Sequence, residues 1–292
     1  MKPFLKWAGG KGQLLKEIEQ YYPFGNGITK YAEPFVGGGA VLFDILNHYE
    51  LEAVYMSDIN AELINAYRMI SNRIDEVVEL LSTMQNEYVP MEERNRKIYY
   101  LAKRSQFNDL KISCDEKINI EKAALMIFLN KTCFNGLYRV NRKGQFNVPI
   151  GAYKNPLICD ETNLRVISEK LKKVIMVCGD YRKSADFIDQ NTFVYIDPPY
   201  RPLTNTANFT AYTENAFNDK EQIKLAQFVG EMDQKKARIV VSNSEPKNSD
   251  LEDDFFENIY SFCNIKRVEA TRMINSNSKA RGKIKELLIS NF

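Results

Sequence analysis

Apolar positions along this chain follow two rhythms, one at the two ends and another through the middle. Near both ends, short runs of β-branched and aromatic residues alternate with stretches of helical spacing. That alternation is expected of parallel strands joined by crossover helices. The strand-like runs begin at Tyr31, span Val54 to Asp58, Val174 to Cys178, Thr192 to Ile196 and Ala237 to Val241, and close with Ile284 to Ser290. Helices are predicted over Leu14 to Tyr21, Ala40 to Leu46, Ala61 to Leu81, Glu161 to Lys172 and Lys220 to Met232. From Ile64 to about Cys159 the strand–helix alternation lapses. Glu92 to Phe107 reads as a polar, charged helix, and Ile120 to Leu129 is apolar enough to be buried. Tyr138-Arg139-Val140 and Gln145-Phe146-Asn147-Val148 then flank Arg142-Lys143-Gly144, the pattern of a hairpin. The expected architecture is α/β: a Rossmann-like sheet built from residues 1–62 and 160–292, with a helical and β-hairpin domain of residues 63–159 inserted between the second and third strands.

The predicted strands end in residues able to hold a ligand, and open α/β sheets bind ligands at that rim. Asp197-Pro198-Pro199-Tyr200 follows the fourth run, and the two prolines stop the ladder because neither can donate an N–H. A carboxylate, a rigid proline carbonyl and an aromatic ring can together grip a planar group that bears an amino function. The competing reading is a strand-ending turn with a surface acid and a packing tyrosine. Tyr31-Ala32-Glu33-Pro34-Phe35-Val36-Gly37-Gly38-Gly39 before a helix has the strand, glycine loop and helix order of nucleotide-type cofactor sites. Leu42 stands where a dinucleotide fingerprint needs its third glycine. This favours a nucleoside cofactor without phosphates, such as S-adenosylmethionine. Asp58 lies roughly 20 residues past the loop, where a carboxylate can bind ribose hydroxyls, or can cap the next helix together with Asn60. Asp180 and Tyr181 sit at another strand end, placed to read a cofactor's adenine or to cap a helix. Near the start, Trp7-Ala8-Gly9-Gly10-Lys11 pairs the single tryptophan with two glycines and a lysine, a ligand-facing segment or a turn before a helix.

Composition narrows these options. A net charge of +2 means that nucleic-acid affinity must come from local patches. Six basic residues and no acid lie between Lys122 and Cys159, interleaved with Phe134, Asn135, Tyr138, Asn147 and Tyr153. That mixture suits phosphate contact and base-edge readout; the alternative is a solvated hairpin. The five cysteines are scattered, without a C-x-x-C pair, beside a single histidine, His48. This argues against a metal site and a disulfide framework, and for a reduced cytoplasmic location. The first residues are too polar for a signal peptide, and no apolar run reaches membrane-spanning length. Arg201 to Phe217 is polar and without period, a candidate mobile loop over the site.

Taken in order, FLKWAGGK, AEPFVGGG, SDIN and DPPY resemble the N6-adenine DNA methyltransferases of the Dam type, and the insert before DPPY extends the match over essentially the whole chain. The resemblance implies a Rossmann-like S-adenosylmethionine-dependent methyltransferase sheet with an inserted target-recognition domain. It implies cofactor contacts at Trp7, Ala8, Gly9, Gly10, Lys11, Glu33, Pro34, Phe35, Gly37, Gly39, Asp58, Ile59, Asp180, Tyr181 and Asp197. The target adenine of double-stranded DNA, flipped out of the helix, would be held by Asp197, Pro198, Pro199 and Tyr200, with no metal. NGLYR and NVPIGAY look like the hairpin that reads GATC in that family, which assigns DNA contact to Asn135, Leu137, Arg139, Pro149 and Tyr153, with Arg142 and Lys143 at the tip. Phe134 departs from the tyrosine common at its position. A cognate restriction endonuclease acting on the same site is an implied candidate partner. RNA or protein-amide methyltransferases generally carry Asn in place of Asp197 and lack this insert. A silent DNA-binding module would not need Trp7, Asp58 and Asp197 intact.

Overall fold

The computed structural model of the chain describes residues 1–7, 9–110, 113, 119–201, 217–271 and 283–292. Its strands are β1 (Lys30–Glu33), β2 (Ala53–Asp58), β3 (Val174–Cys178), β4 (Thr192–Ile196), β5 (Arg238–Ser244), β6 (Asn264–Thr271) and β7 (Lys283–Ser290). Among the described residues they form a seven-stranded sheet in the order β3-β2-β1-β4-β5-β7-β6. The helices are α1 (Leu15–Ile18), α2 (Ala40–His48), α3 (Ala61–Asn72), α4 (Ile74–Tyr88), α5 (Glu93–Asp109), α6 (Ile120–Thr132), α7 (Glu161–Leu171), α8 (Asp219–Gln234) and α9 (Phe255–Ile259). This is the α/β fold expected of a Rossmann-like methyltransferase.

Two compact units make up the chain, one of them Lys11–Phe35, Tyr49–Tyr55 and Arg182–Phe292. Its centre is β4, buried at every position and paired in parallel with β1 and β5. A strand flanked on both edges and covered on both faces needs no polar alternation, which is why Thr-Phe-Val-Tyr-Ile reads as a continuous apolar run. Phe193 stacks on Tyr31 at 5.8 Å, and Tyr195 shares a 2.6 Å hydrogen bond with Ser242 on β5. Burying a side chain such as Phe193 is worth about 1.5–3 kcal/mol. β7 adds antiparallel to β5, and β6 to β7.

The other unit is Met1–Gly10, Val36–His48 and Met56–Tyr181. Its core helix is α6, buried from Lys122 to Asn130. Asn119 caps α6 by accepting from Lys122 N, and its own backbone is gripped twice by Asn65 of α3 at 2.7 and 2.8 Å. Buried Lys122 finds Glu62 at 2.6 Å and the carbonyls of Phe107 and Leu110 at 2.7 Å each, so its charge is fully partnered.

Several expectations change in detail. The helix expected over Ala61 to Leu81 breaks at Arg73 (φ −138, ψ 42) into α3 and α4. The apolar spacing continues through the break because it reports the buried face, not the backbone. β5 runs on to Ser244, since Asn243 and Ser244 pair with Leu287 and Glu286 on β7. β6 carries little apolar signal; Val268 and Ala270 are its buried side chains among those described. The expected hairpin is a tight turn with one bridge, Val140 to Phe146, in which Asn141 Oδ1 accepts from Lys143 N and Gln145 N. Among the described residues Cys133, Cys159 and Cys263 are free thiols. Among the described residues no helix is long and apolar enough to cross a membrane, and no group of His, Cys, Asp or Glu could hold a metal. The mobile-loop expectation for Arg201 to Phe217 falls mostly on residues 202–216, outside the described residues, as does Ala8.

Candidate active site

In the unit centred on β4, the strand delivers Asp197 at its carboxyl end, and the two prolines stop the ladder one step later. Lys11, in the short 3-10 turn Lys11–Gln13, is 5% exposed and places its Nζ 2.7 Å from Asp197 Oδ1. The same ammonium lies 4.6 Å from the centre of the Tyr200 ring. Tyr200 donates its hydroxyl to Glu286 Oε2 of β7 at 2.6 Å. The ring is therefore held at its face by a cation and at its tip by a carboxylate. Burial pushes the Asp197 carboxyl above the usual range; Lys11 pulls it back, and Glu286 adds to the rise. Burial, with the charges of Asp197 and Glu286, pushes the Tyr200 hydroxyl well above its ordinary value.

The backbone after Asp197 is braced by residues the sequence did not single out for a role. Gln222 of α8, fully buried, donates from Nε2 to the Pro199 carbonyl at 3.1 Å and accepts from Asn243 Nδ2 at 3.2 Å. Asn243 Oδ1 accepts from Arg201 N at 3.3 Å, and Ser244 Oγ donates to the Arg201 carbonyl at 3.3 Å. The Arg201 guanidinium forks onto Asp219 at 2.7 and 3.1 Å and reaches Asp253 at 2.5 Å. Gln222, inside an ordinary amphipathic helix, gave no signal in the sequence. Glu33 is buried and accepts from Tyr31 Oη at 2.7 Å, Pro34 is buried, and Phe35 meets the edge of Phe217 at 5.9 Å.

In the other unit Asp58 closes β2. Its Oδ2 accepts from Gly37 N at 3.1 Å and its Oδ1 from Asn60 N at 2.9 Å. Asn60, not Asp58, caps α3, accepting from Leu63 N at 3.0 Å. Burial raises the Asp58 carboxyl, against the pull of those N–H groups. Gly37 and Gly39 both have positive φ, and a Cβ on either would press on Trp7 or on the Tyr67 hydroxyl. The loop's glycines thus admit Trp7 and Tyr67 as close neighbours. Trp7 stacks on Tyr138 at 5.4 Å, and Tyr138 donates to Glu62 at 2.5 Å. Gly179 N bonds the Asp58 carbonyl at 3.0 Å, tying β2 to the segment that carries Asp180 and buried Tyr181.

This donor set fits S-adenosylmethionine. The Asp58 carboxylate sits at the glycine loop on Gly37 N, where a phosphate would meet like charge, a Cβ on Gly9 would meet nothing within 4 Å, and Ile59 leaves an apolar side chain 73% exposed beside Asp58.

Asn135, in a left-handed conformation (φ 55), lies in the short turn Phe134–Gly136 and is exposed. Leu137 is half-buried, while Arg139, Arg142, Lys143 and Pro149 are exposed. Asn147 fixes the plane of the Arg139 guanidinium, accepting from Nε at 2.7 Å and, through its carbonyl, from Nη2 at 3.3 Å. Tyr153 lies under Lys6, whose Nζ is 3.4 Å from the hydroxyl and 4.8 Å from the ring centre. Lys6 itself was not among the expected site residues. Asn130 of α6 grips its backbone on both sides, at 2.9 and 2.8 Å, and donates to the Gly136 carbonyl at 2.9 Å.

Residues 7–274 match the family model described as D12 class N6 adenine-specific DNA methyltransferase. The chain is similar to the Type II methyltransferase M.MjaIII of Methanocaldococcus jannaschii, 48% identical over all of this chain and 99% of that one. It is also similar to the Type II methyltransferase M1.LlaDCHI of Lactococcus lactis subsp. cremoris, 38% identical over 100% of this chain and 96% of that one. The DNA adenine methylase of Haemophilus influenzae is 36% identical over 98% of this chain and 92% of its own.

Proposed function

Because the chain belongs to the D12 class of N6 adenine-specific DNA methyltransferases, we propose that it methylates adenine within GATC in double-stranded DNA, with Asp197, Pro198, Pro199 and Tyr200 holding the target base. Adenine-specific DNA methyl transfer and S-adenosylmethionine as donor follow from the family. The GATC reading rests on the likeness of NGLYR and NVPIGAY to the hairpin that reads this site in Dam-type enzymes.

The observation that carries the reaction is the environment of Asp197. Adenine's amino nitrogen is a poor nucleophile, because its lone pair is delocalised into the ring. Asp197 and the Pro198 carbonyl accept its two hydrogens, which moves the nitrogen toward tetrahedral geometry and frees the lone pair. S-adenosylmethionine supplies an electrophilic methyl group on a cationic sulfonium. Lys11 favours the ionised form of Asp197, the form that accepts, and Gln222 fixes the peptide that follows the prolines. Such positioning can lower a barrier by roughly 7–11 kcal/mol. Flipping the base costs a few kcal/mol, offset by stacking on Tyr200.

Cofactor binding is assigned to Trp7, Ala8, Gly9, Gly10, Lys11, Glu33, Pro34, Phe35, Gly37, Gly39, Asp58, Ile59, Asp180 and Tyr181, with Asp197 shared. Residues 1–62 and 160–292 form the proposed catalytic domain, and residues 63–159 the target-recognition domain. Asn135, Leu137, Arg139, Pro149 and Tyr153 read bases there, and Arg142 and Lys143 meet phosphate. The cytoplasm is the proposed location. The Type II names of two relatives support a cognate endonuclease acting on the same site.

Purified protein, radiolabelled S-adenosylmethionine and duplexes carrying GATC or each single-base variant test this reading. Label is expected in GATC duplexes alone. Equal labelling of the variants, or none of GATC, would overturn the site assignment.

A further inference from the structure

The segment from Phe146 to Lys154 belongs to no helix or strand and has two isolated bridges, at Phe146 and at Ile150. A backbone in that state leaves N–H and carbonyl groups that must be satisfied elsewhere. Residues 132–139 supply some partners, with Pro149 O bonded to Phe134 N, Gly151 N to Thr132 O and Asn147 N to Arg139 O. One face of α5 supplies others. Asn108 donates from Nδ2 to the Phe146 carbonyl at 3.1 Å and accepts from Phe146 N at 2.8 Å. Tyr100, fully buried, donates its hydroxyl to the Val148 carbonyl at 2.8 Å, and Arg104 Nη1 reaches the same oxygen at 3.3 Å. Arg96 Nη1 donates to the carbonyls of Tyr153 at 3.1 Å and Lys154 at 2.6 Å.

These four side chains recur every fourth residue, which places them in one row along the helix. The outward positions Arg94, Lys97, Leu101 and Ser105 are exposed. From residue 96 to 108 the helix rises about 18 Å, at about 1.5 Å per residue. The segment from residue 146 to 153 spans at most about 23 Å if fully extended. The two lengths match once Pro149 and Gly151 bend the chain, and the segment runs antiparallel to the helix. Gly151 is needed at that bend, because a Cβ there would lie 2.5 Å from the Tyr153 ring. A row of unlike polar residues meeting the carbonyls of Phe146, Val148, Tyr153 and Lys154 is more than a helix needs for solubility.

We propose that the α5 row Arg96, Tyr100, Arg104 and Asn108 is a splint that sets the register of the recognition segment, so that these positioning residues govern sequence discrimination without touching DNA bases. The proposal rests on the reading of residues 135–153 as the base-reading segment. Because Asn147 fixes the Arg139 guanidinium and Arg139's carbonyl accepts from Asn147 N at 3.1 Å, any slip at Phe146 or Val148 reaches Arg139 through its neighbour.

The test uses the full-length chain with the unmethylated GATC duplex and its single-base variants as substrates, measuring kcat/KM for each. Tyr100→Phe removes one hydroxyl and keeps the ring; Asn108→Asp removes one donor and keeps the acceptor. Each is expected to lower discrimination about fivefold, the worth of one hydrogen bond, with S-adenosylmethionine affinity unchanged. Combined with Arg139→Ala, neither should lower discrimination further, since both act through Arg139. A lowered melting temperature with intact discrimination, or losses that add fully to that of Arg139→Ala, would overturn the splint. Should Asn108→Asp fail to fold, Tyr100→Phe carries the comparison alone. Arg139→Ala and Leu137→Ala keep the two readings separable. If both discriminate like the parent, the recognition reading falls and the splint with it. If they relax discrimination while the α5 variants do not, the splint alone falls.

Discussion

Asp197 and Lys11 form a pair whose chemistry can be read in the direction of one ionisation. Burial alone would favour the neutral acid, and Lys11 opposes it at 2.7 Å. In the proposed mechanism the ionised carboxylate is the stronger acceptor for the target amino group, so activity is expected to fall as pH drops through the folded pKa of Asp197. That pKa is raised, so the acid limb of the kcat profile should lie above the range of an ordinary aspartate. Lys11→Gln should move the limb further up, because an opposing charge is gone. An unmoved limb would show that Lys11 does not set the ionisation of Asp197. At this scale the sequence was informative about Asp197 and Lys11 separately, each inside a motif. Their pairing was not legible, since the two are far apart in the chain. Nor was Glu286, whose only signal was its place in a C-terminal strand.

At the scale of elements, Asp58 joins three things: the end of β2, the glycine loop through Gly37 N and the entry to α3 through Asn60 N. The pattern of a strand, a glycine loop and a distant acid was legible, because each piece has its own local chemistry. The division of labour was not, as Asn60 takes the cap and Asp58 the loop. Asp58→Ala should weaken S-adenosylmethionine binding by roughly 1.5–3 kcal/mol if a charge-assisted hydrogen bond is lost. It should also lower the melting temperature by about 2–4 °C for each kcal/mol of lost bracing. Calorimetry of binding and of unfolding separates the two effects. A lower melting temperature with unchanged affinity would leave Asp58 as a brace alone. β6 and the break at Arg73 escaped the sequence for a common reason. An edge strand with few buried residues and a one-residue kink leave the apolar rhythm almost untouched.

For the whole molecule, a net charge of +2 gives little long-range attraction for DNA, so the proposed DNA contact is assigned to the basic residues between Lys122 and Lys154. Lys143→Ala should weaken all duplexes alike and flatten the salt dependence by about one unit of slope. Arg139→Ala should instead relax discrimination at one base pair, worth about 1–3 kcal/mol. Equal slowing on every duplex would make the hairpin an electrostatic clamp. The strand–helix alternation revealed the α/β class and the interruption in it. The motifs revealed the family, because ligand chemistry restricts residue choice more tightly than packing does. The contacts of α5 with residues 146–154 were hidden, since a polar helix face looks alike whether it meets water or backbone. The central claim, that Asp197 drives adenine-N6 methylation of DNA, is tested most directly by modification sequencing of plasmid DNA from cells expressing the chain or its Asp197→Ala variant. N6-methyladenine at GATC is expected with the parent chain and none with the variant. Equal methylation from a folded variant, or no N6-methyladenine from either, would contradict the claim.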